Sequence, residues 1–331
     1  MKALVIGGTG NISREIVSAL LRANHDVVLF NRGRNPDPPP SDVRVIIGDR
    51  RDRGDFASKM SLENFDAAID MICFDAEDAA SSVQAFRDRV EHFVHCSTVM
   101  TYGPPFSGIN LDETAPLNGV SDYALGKIAA DELFLKAYSD DHFPVTIFKP
   151  SLTFGANVLL PQTGGDGSWI HRLREGKPIL SVGDGLSNFQ FLPSQDAGIA
   201  FAAVLGRKQS FGEIYNLVHP IPRTWDHWHQ EVAKALGVEL KLVHVPQETL
   251  MGISPAKFGS LSENFGHTQV FNGAKLATCV PEFQPEASLV PSITKSIAWM
   301  DQHNLVPDTH DGDLEDRIIA LMKDLPSQLA K

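Results

Sequence analysis

Cysteine is scarce in this 331-residue chain: three residues, at 73, 96 and 279, with no C-x-x-C pair among them. An odd, dispersed set of this kind excludes a disulfide framework and a thiolate zinc site, and it suits a reducing, cytoplasmic compartment. Basic residues are also few. Lys and Arg number 29 against 41 Asp and Glu, a net charge of −12. That balance gives no general attraction to a nucleic-acid backbone or an anionic lipid surface, so neither partner is expected. No run approaches the ~20 apolar residues of a membrane span. The opening MKALVIGGTG meets glycine too early for the apolar core of a signal peptide. The one basic cluster, Arg50, Arg51 and Arg53, reads as a solvated loop or a cofactor contact.

What is present is a regular alternation. Apolar runs at Lys2–Ile6, Val27–Phe30, Val43–Ile47, Ala67–Ile72, His92–Cys96 and Val145–Lys149 predict strands. Between them, Asn11–Asn24, Asp55–Leu62, Asp75–Arg89 and Ser121–Tyr138 predict helices, with apolar residues at helical spacing in the first (Ile12, Ile16, Leu20). The proline-rich stretch Asn35–Ser41 predicts a loop. Strands alternating with helices imply a parallel α/β sheet covered on both faces. After Pro150 the pattern loosens. Helices are expected near Ser168–Glu175, Gln195–Leu205, Trp225–Leu236 and Leu289–Gln302, a strand at Glu213–Val218, and a polar tail at the end. Residues 1–155 are thus expected to form a dinucleotide-binding domain. Residues 156–331 would form a smaller, partly interleaved α/β region for substrate, with a cleft between the two.

The run GGTGNIS stands where the first strand meets the first helix. Gly7 and Gly10 allow a tight turn and close approach of a pyrophosphate, and Asn11 and Ile12 open the helix whose N-terminus would face it. This strand–glycine–helix context is that of a doubly wound Rossmann sheet. Ser13 stands at the third glycine position and is small enough for close packing. At the end of the second strand, Asn31, Arg32, Gly33 and Arg34 provide no carboxylate for a free ribose 2′-hydroxyl. Two arginines match a 2′-phosphate better, which favours NADP over NAD. Asp49, in GDRRD after the third strand, is placed to meet the adenine edge, with Arg50 beside it.

Tyr123 and Lys127 lie in SDYALGK at i, i+4, on one face of a predicted helix. A free phenol, with a pKa of about 10, is too weak a base at neutral pH; a nearby ammonium would lower it. Thr98, just past the strand His92–Cys96, supplies a hydroxyl to hold a substrate oxygen, with Ser97 as its rival. Strand, Ser-Thr, then Tyr-x-x-x-Lys at a helix start is the layout of a proton-transfer site beside a nicotinamide.

These motifs resemble the extended short-chain dehydrogenase/reductases, and within them the NAD-dependent epimerase/dehydratase family. GGTGNIS, CSTVMTYG, KPSLTFG, GDGLSNFQFLPSQD, EIYNLV and AKLATCVPEFQP each have a counterpart there, spanning nearly the whole chain. The resemblance implies catalysis by Thr98, Tyr123 and Lys127, with Pro150, Tyr123 and Lys127 touching the cofactor, and a sugar-like substrate. It also implies a homodimer built on the catalytic helix, to which Leu133, Phe134 and Ala137 would contribute unless they face the sheet. Two departures stand out. Val99 and Met100 follow Thr98 where the family's dehydratases carry Asp-Glu. Phe189 stands where nucleotide-sugar enzymes carry a diphosphate-gripping arginine. FNRGRNP, IIGDRRD and GDGLSNFQF are similar instead to a branch of bacterial sugar epimerases and chloroplast stem-loop-binding proteins.

Trp169 and His171 follow a glycine-rich loop where such proteins gather substrate contacts. Trp225 and Trp228 read as core. His227 and His229, at i, i+2, cannot share a face, and no metal site is expected. His92 and His95 read as structural. The chain is therefore expected to be an NAD(P)-dependent oxidoreductase or epimerase acting on a hydroxyl/keto pair. The alternative is a nucleotide-binding regulatory or RNA-associated protein.

Overall fold

The strand Lys2–Ile6 (β1) is buried from Ala3 onward, as a parallel strand with helices on both faces must be. The computed structural model describes residues 1–35, 37–308 and 313–329. Pro36, inside the proline-rich loop, lies outside them. The chain divides into two compact units. The first comprises Met1–Thr153, Leu192–Pro220 and Phe271–Pro285; the second takes Phe154–Phe191, Ile221–Val270 and Glu286–Lys331. Residues 192–220 and 271–285 thus join the first unit, which does not end at 155.

In the first unit, β1 is followed by Asn11–Arg22 (α1), Asp26–Asn31 (β2), Arg44–Ile47 (β3), Arg53–Ser61 (α2), Ala67–Asp70 (β4), Ala76–Phe86 (α3) and His92–Cys96 (β5). Asp122–Asp141 (α4) and Val145–Pro150 (β6) come next, and the strand Glu213–Leu217 completes the sheet. Among the described residues, seven strands pair in parallel in the order Glu213–Leu217, β6, β5, β4, β1, β2, β3. The strand order reverses between β1 and β4. In doubly wound sheets ligands bind at such a reversal, beyond the carboxyl ends of the strands. The structure is the Rossmann-type α/β fold that the alternation predicts.

Two apolar layers hold the sheet. On one face α1 (Ile16, Val17, Leu20) and the helix Ser194–Ala203 cover Val5, Leu29, Ile69 and Phe148. Gly198 permits their contact, since a Cβ there would come within 2.6 Å of the Glu15 backbone. On the other face Phe56, Phe86, Phe93, Phe134 and Phe143 pack edge to face and in stacked pairs over Leu4, Ile6 and Ala68. Truncating one such ring to Ala costs roughly 3–5 kcal/mol. Helix α4 runs three residues past its expected end, to a left-handed cap at His142.

The second unit is built on an aromatic cluster. Trp225 and Trp228, on the helix Trp225–Leu236, pack with Phe189, Phe191 and Phe265. Two parallel strands missed in the sequence, Ile179–Val182 and Leu242–Val245, lie in this unit. The expected polar tail is instead a helix, Leu314–Leu329, with Ile318 and Ile319 buried. Its start is held by Arg172, a buried guanidinium that pairs with Asp313 and Asp316. The segment Leu314–Leu329 is half apolar and not the polar tail expected, and the pairing that fixes its start is remote in sequence.

Candidate active site

At the end of β1 the chain turns through Gly7, with φ +85°, and a Cβ there would sit 2.6 Å from Ile72. Gly8 is equally confined, against Leu29. Gly7 requires glycine for its backbone angle, and a Cβ at Gly8 would have to displace the Leu29 side chain. Ser13 braces the turn: its hydroxyl donates to the Gly7 carbonyl and accepts from the Gly10 N–H, both at 2.7 Å. It is a structural tie, beyond the small spacer the sequence suggests. Asn11 opens α1. Its Nδ2 donates to the Thr153 carbonyl, while its Oδ1 is buried without a hydrogen-bond partner. A glycine-walled turn, a helix N-terminus with N–H groups beyond the helix's own bonding, and an orphaned amide oxygen fit a dinucleotide.

The other expected cofactor residues divide. Asn31 Oδ1 accepts from the Gly33 N–H, shaping the loop that carries Arg32 and Arg34, both exposed. The same loop returns to the glycine turn, where Asn35 donates to the Thr9 carbonyl and Arg14 pairs with Asp37. Ile12 is half-buried, and Pro150 is buried at the end of β6. Asp49 Oδ1 accepts from the Arg51 N–H. Arg50 is different and corrects the sequence reading. Its guanidinium is 4% exposed, donates to Asp70 at 2.6 Å and to Ser82, and lies 3.3 Å from Asp78. Its charge is paired in the interior, whereas the sequence places it beside a cofactor. Its neighbour Arg53 also pairs with Asp78.

Helix α4 starts on Ser121, whose hydroxyl accepts from the Ala124 N–H. Gly126 lets it close on the β4–α3 loop; a Cβ there would lie 2.3 Å from the Phe74 carbonyl oxygen. This approach brings Tyr123, Lys127 and Thr98 together. Lys127 is buried and donates to the carbonyls of Cys73 (2.7 Å) and Cys96 (2.5 Å). Its Nζ lies 5.9 Å from the centre of the Tyr123 ring and 4.9 Å from that of Phe74. Thr98 accepts from the Met100 N–H, leaving its own proton free to donate, and interacts as a hydrogen-bond partner with the Tyr123 phenol.

The phenol's acidity runs against expectation. The ring edge is exposed, yet the hydroxyl end is crowded by protein. Burial pushes the Tyr123 pKa up to about 12; Cys96 and Asp131 add to the rise, and Thr98 opposes it. Lys127 spends two of its three ammonium protons on backbone carbonyls, and its Nζ lies 5.9 Å from the centre of the phenol ring.

Ser97, the rival hydroxyl, is turned inward and donates to Asp131 Oδ2 at 2.8 Å. Asp131, His95, Lys149 and Thr101 complete a buried polar cluster that sequence reasoning missed. Asp131 has the spacing that signals it, one turn beyond Lys127 on the same helix face. His92 is structural, bonded to Thr146 and accepting from the Gly206 N–H.

Trp169 and His171 belong to the second unit, on the helix Ser168–Arg174. Trp169 is buried and its indole N–H donates to the Leu159 carbonyl. Its ring walls a cavity of about 220 Å³ that Thr163, Ser168, Lys257 and Glu315 also line. His171 sits between Glu175 and Asp308.

A sequence profile of the NAD dependent epimerase/dehydratase family matches residues 3–217. The chain is 30% identical to 2′-dehydrokanamycin reductase of Streptomyces kanamyceticus, over 100% of this chain and 91% of the reductase. It is 28% identical to the chloroplast stem-loop binding protein of 41 kDa b of Arabidopsis thaliana, over 89% of this chain and 78% of that protein. In fold it is similar to a UDP-glucose-4-epimerase of Stenotrophomonas maltophila with bound NAD, at a TM-score of 0.75 and 16% identity, covering 92% of this chain and 99% of that one.

Proposed function

The chain belongs to the NAD-dependent epimerase/dehydratase family of enzymes, and on that premise we propose that it transfers hydride between a nicotinamide cofactor and a hydroxyl/keto carbon of a sugar-like molecule. The observation that carries this reading is the convergence of Thr98, Tyr123 and Lys127 beyond the carboxyl ends of β4 and β5. Thr98 holds the substrate oxygen by a hydrogen bond. Tyr123 delivers a proton to that oxygen in reduction and removes it in oxidation. Lys127, with one ammonium proton left beyond its two carbonyl bonds, holds the ribose hydroxyls. Gly7, Gly10, Asn11 and Ile12 cradle the pyrophosphate, with Asp49 and Pro150 bordering the rest. When bound, the nicotinamide supplies or accepts the hydride.

Several features narrow the reading. A phenol raised toward 12 stays protonated at neutral pH, which suits donation to a ketone, and the similarity to a full-length reductase supports reduction over epimerisation. Val99 and Met100, following Thr98, carry no acid or base for elimination. Phe189 is buried between Trp225 and Phe265 and cannot grip a diphosphate, which favours a substrate without that handle. Trp169 is retained as a substrate contact through the cavity it walls, and His171 as a neighbouring polar group. Exposed Arg32 and Arg34 favour NADP. A second copy of the chain would dock on the α3–α4 face, where Val83, Leu133 and Ala137 line a groove of about 510 Å³. Phe134 faces the sheet instead. Among the described residues no helix is long and apolar enough to cross a membrane. Three free, buried thiols suit the cytoplasm.

The similarity to a stem-loop binding protein favours an RNA-associated role as a second reading, against which the net charge of −12 weighs. The test offers the protein NADPH or NADH deuterated at the transferable position, with a panel of keto sugars, and reads the products by mass spectrometry. Deuterium at a new carbinol carbon is expected, with faster turnover on NADPH. No transfer to any keto sugar, together with salt-sensitive retardation of RNA, would shift the assignment to the second reading.

A further inference from the structure

Behind Thr98 lies a pair of opposite charges that the reaction does not touch. Asp131 and Lys149 are each about 1% exposed, and Lys149 Nζ lies 3.2 Å from Asp131 Oδ2. From this pair two tethers reach the loop on either side of Thr98. Asp131 Oδ2 accepts from the Ser97 hydroxyl at 2.8 Å. Lys149 donates to Thr101 Oγ1 at 2.8 Å, and Thr101 Oγ1 donates to the Thr98 carbonyl at 2.9 Å. Ser97 precedes Thr98 directly, and Thr101 closes the turn that Thr98 begins. The free edge of the carboxylate faces His95, whose Nε2 is 3.3 Å from Oδ1.

A buried ion pair of this kind seldom stabilises a fold more than apolar residues of the same volume would. Its placement points to what it holds. We infer that Asp131 and Lys149 are positioning residues, which fix Ser97 and Thr101 and so keep the Thr98 hydroxyl on the Tyr123 phenol. Neither touches substrate; both act through the loop. Catalytic hydroxyls need this support because a displacement of about 1 Å in a reacting group can cost on the order of 100-fold in rate. Burial works against the charge on Asp131, yet His95, Lys149 and Ser97 together hold its pKa below the ordinary carboxylate range. The carboxylate is therefore a fixed anion, available to both tethers.

The inference rests on the proposed Thr98–Tyr123 reaction centre, and its test separates the two. Breaking the ion pair itself invites misfolding, so the tethers are cut one hydroxyl at a time with Ser97→Ala, Thr101→Val and the double variant. The first readout is the ¹³Cζ resonance of Tyr123 in tyrosine-labelled protein, assigned by its loss in Tyr123→Phe. The Ser97→Ala/Thr101→Val variant is expected to move it in the same direction as Thr98→Val, with Tyr138 and Tyr215 unmoved; Tyr102, whose ring lies 5.0 Å from Lys149 Nζ, is left out of the comparison. The second is turnover of a keto substrate: kcat is expected to fall roughly 10- to 100-fold, with KM within twofold and the variant still fully folded at the assay temperature, a fall larger than its lost stability accounts for. A Tyr123 resonance that ignores the double variant while responding to Thr98→Val would overturn the positioning role. So would a resonance insensitive to Thr98→Val, or a kcat that falls only in step with stability. Failure of the enzymatic reading looks different: the unmodified protein transfers no hydride, while the Tyr123 resonance still reports the tethers.

Discussion

The first unit contains two buried ionic clusters that are alike in chemistry and unlike in what they hold. In one, Arg50 joins Asp70 and Asp78, and the bonds end on Ser82 and on the Ile72 and Phe74 amides at the turn into α3. In the other, Lys149 joins Asp131, and the bonds end on Ser97 and Thr101, around Thr98. Both consist of a buried cation with carboxylates and hydroxyls. One locks sheet to helix; the other ends at the proposed reaction centre. Burial and pairing alone do not mark a functional group. What distinguishes the two is where their last hydrogen bonds terminate.

That contrast can be broken at several points. The largest effect is expected at the phenol. Tyr123→Phe removes the proton donor and should cut turnover by about 1,000-fold, within the range for a general acid–base, while cofactor affinity measured by fluorescence stays within a few-fold. Full activity in that variant would refute the role. Next comes the first cluster. Arg50→Met strands Asp70 and should destabilise the protein by roughly 3–5 kcal/mol, visible in the urea midpoint, with cofactor affinity of the folded fraction unchanged. A selective loss of cofactor binding would return Arg50 to the cofactor site.

Two smaller effects follow. Burial holds His92 down to about 3 and His229 down to about 4, so both are neutral in the fold. Their folded values lie below the unfolded value of about 6.5. Stability from these groups is therefore complete above pH 6.5 and is lost as pH falls toward 4 and then 3, because the unfolded chain takes up protons that the folded one refuses. Urea midpoints that stay level from pH 7.5 to 4.5 would contradict this. The smallest effect concerns cofactor choice. Arg32→Ala should weaken NADP by about tenfold, the loss of one charge-assisted contact, and leave NAD nearly unchanged. Equal losses would show that Arg32 does not face the 2′-phosphate.

Legibility followed the range of the forces involved. The glycine turn and the strands β1 to β6 could be read because short apolar runs and glycines act locally. The i, i+4 spacing placed Tyr123 and Lys127 together for the same reason. Arg50 misled because a basic residue beside Asp49 looks solvent-facing until Asp70 and Asp78, 20 and 28 residues away, are seen to enclose it. The helix Leu314–Leu329 was missed because its hold on Arg172 spans more than 140 residues.

The amino-acid sequence by itself determined the layered α/β plan, the glycine turn and the pairing of phenol with ammonium on one helix face, since periodicity and near-neighbour spacing encode all of these. Only the tertiary structure decided which of Ser97 and Thr98 faces Tyr123, that Lys127 is turned onto two carbonyls, and that the phenol is less acidic than a free tyrosine. Those outcomes depend on burial and on partners brought from distant strands, and neither quantity exists until the sheet has closed.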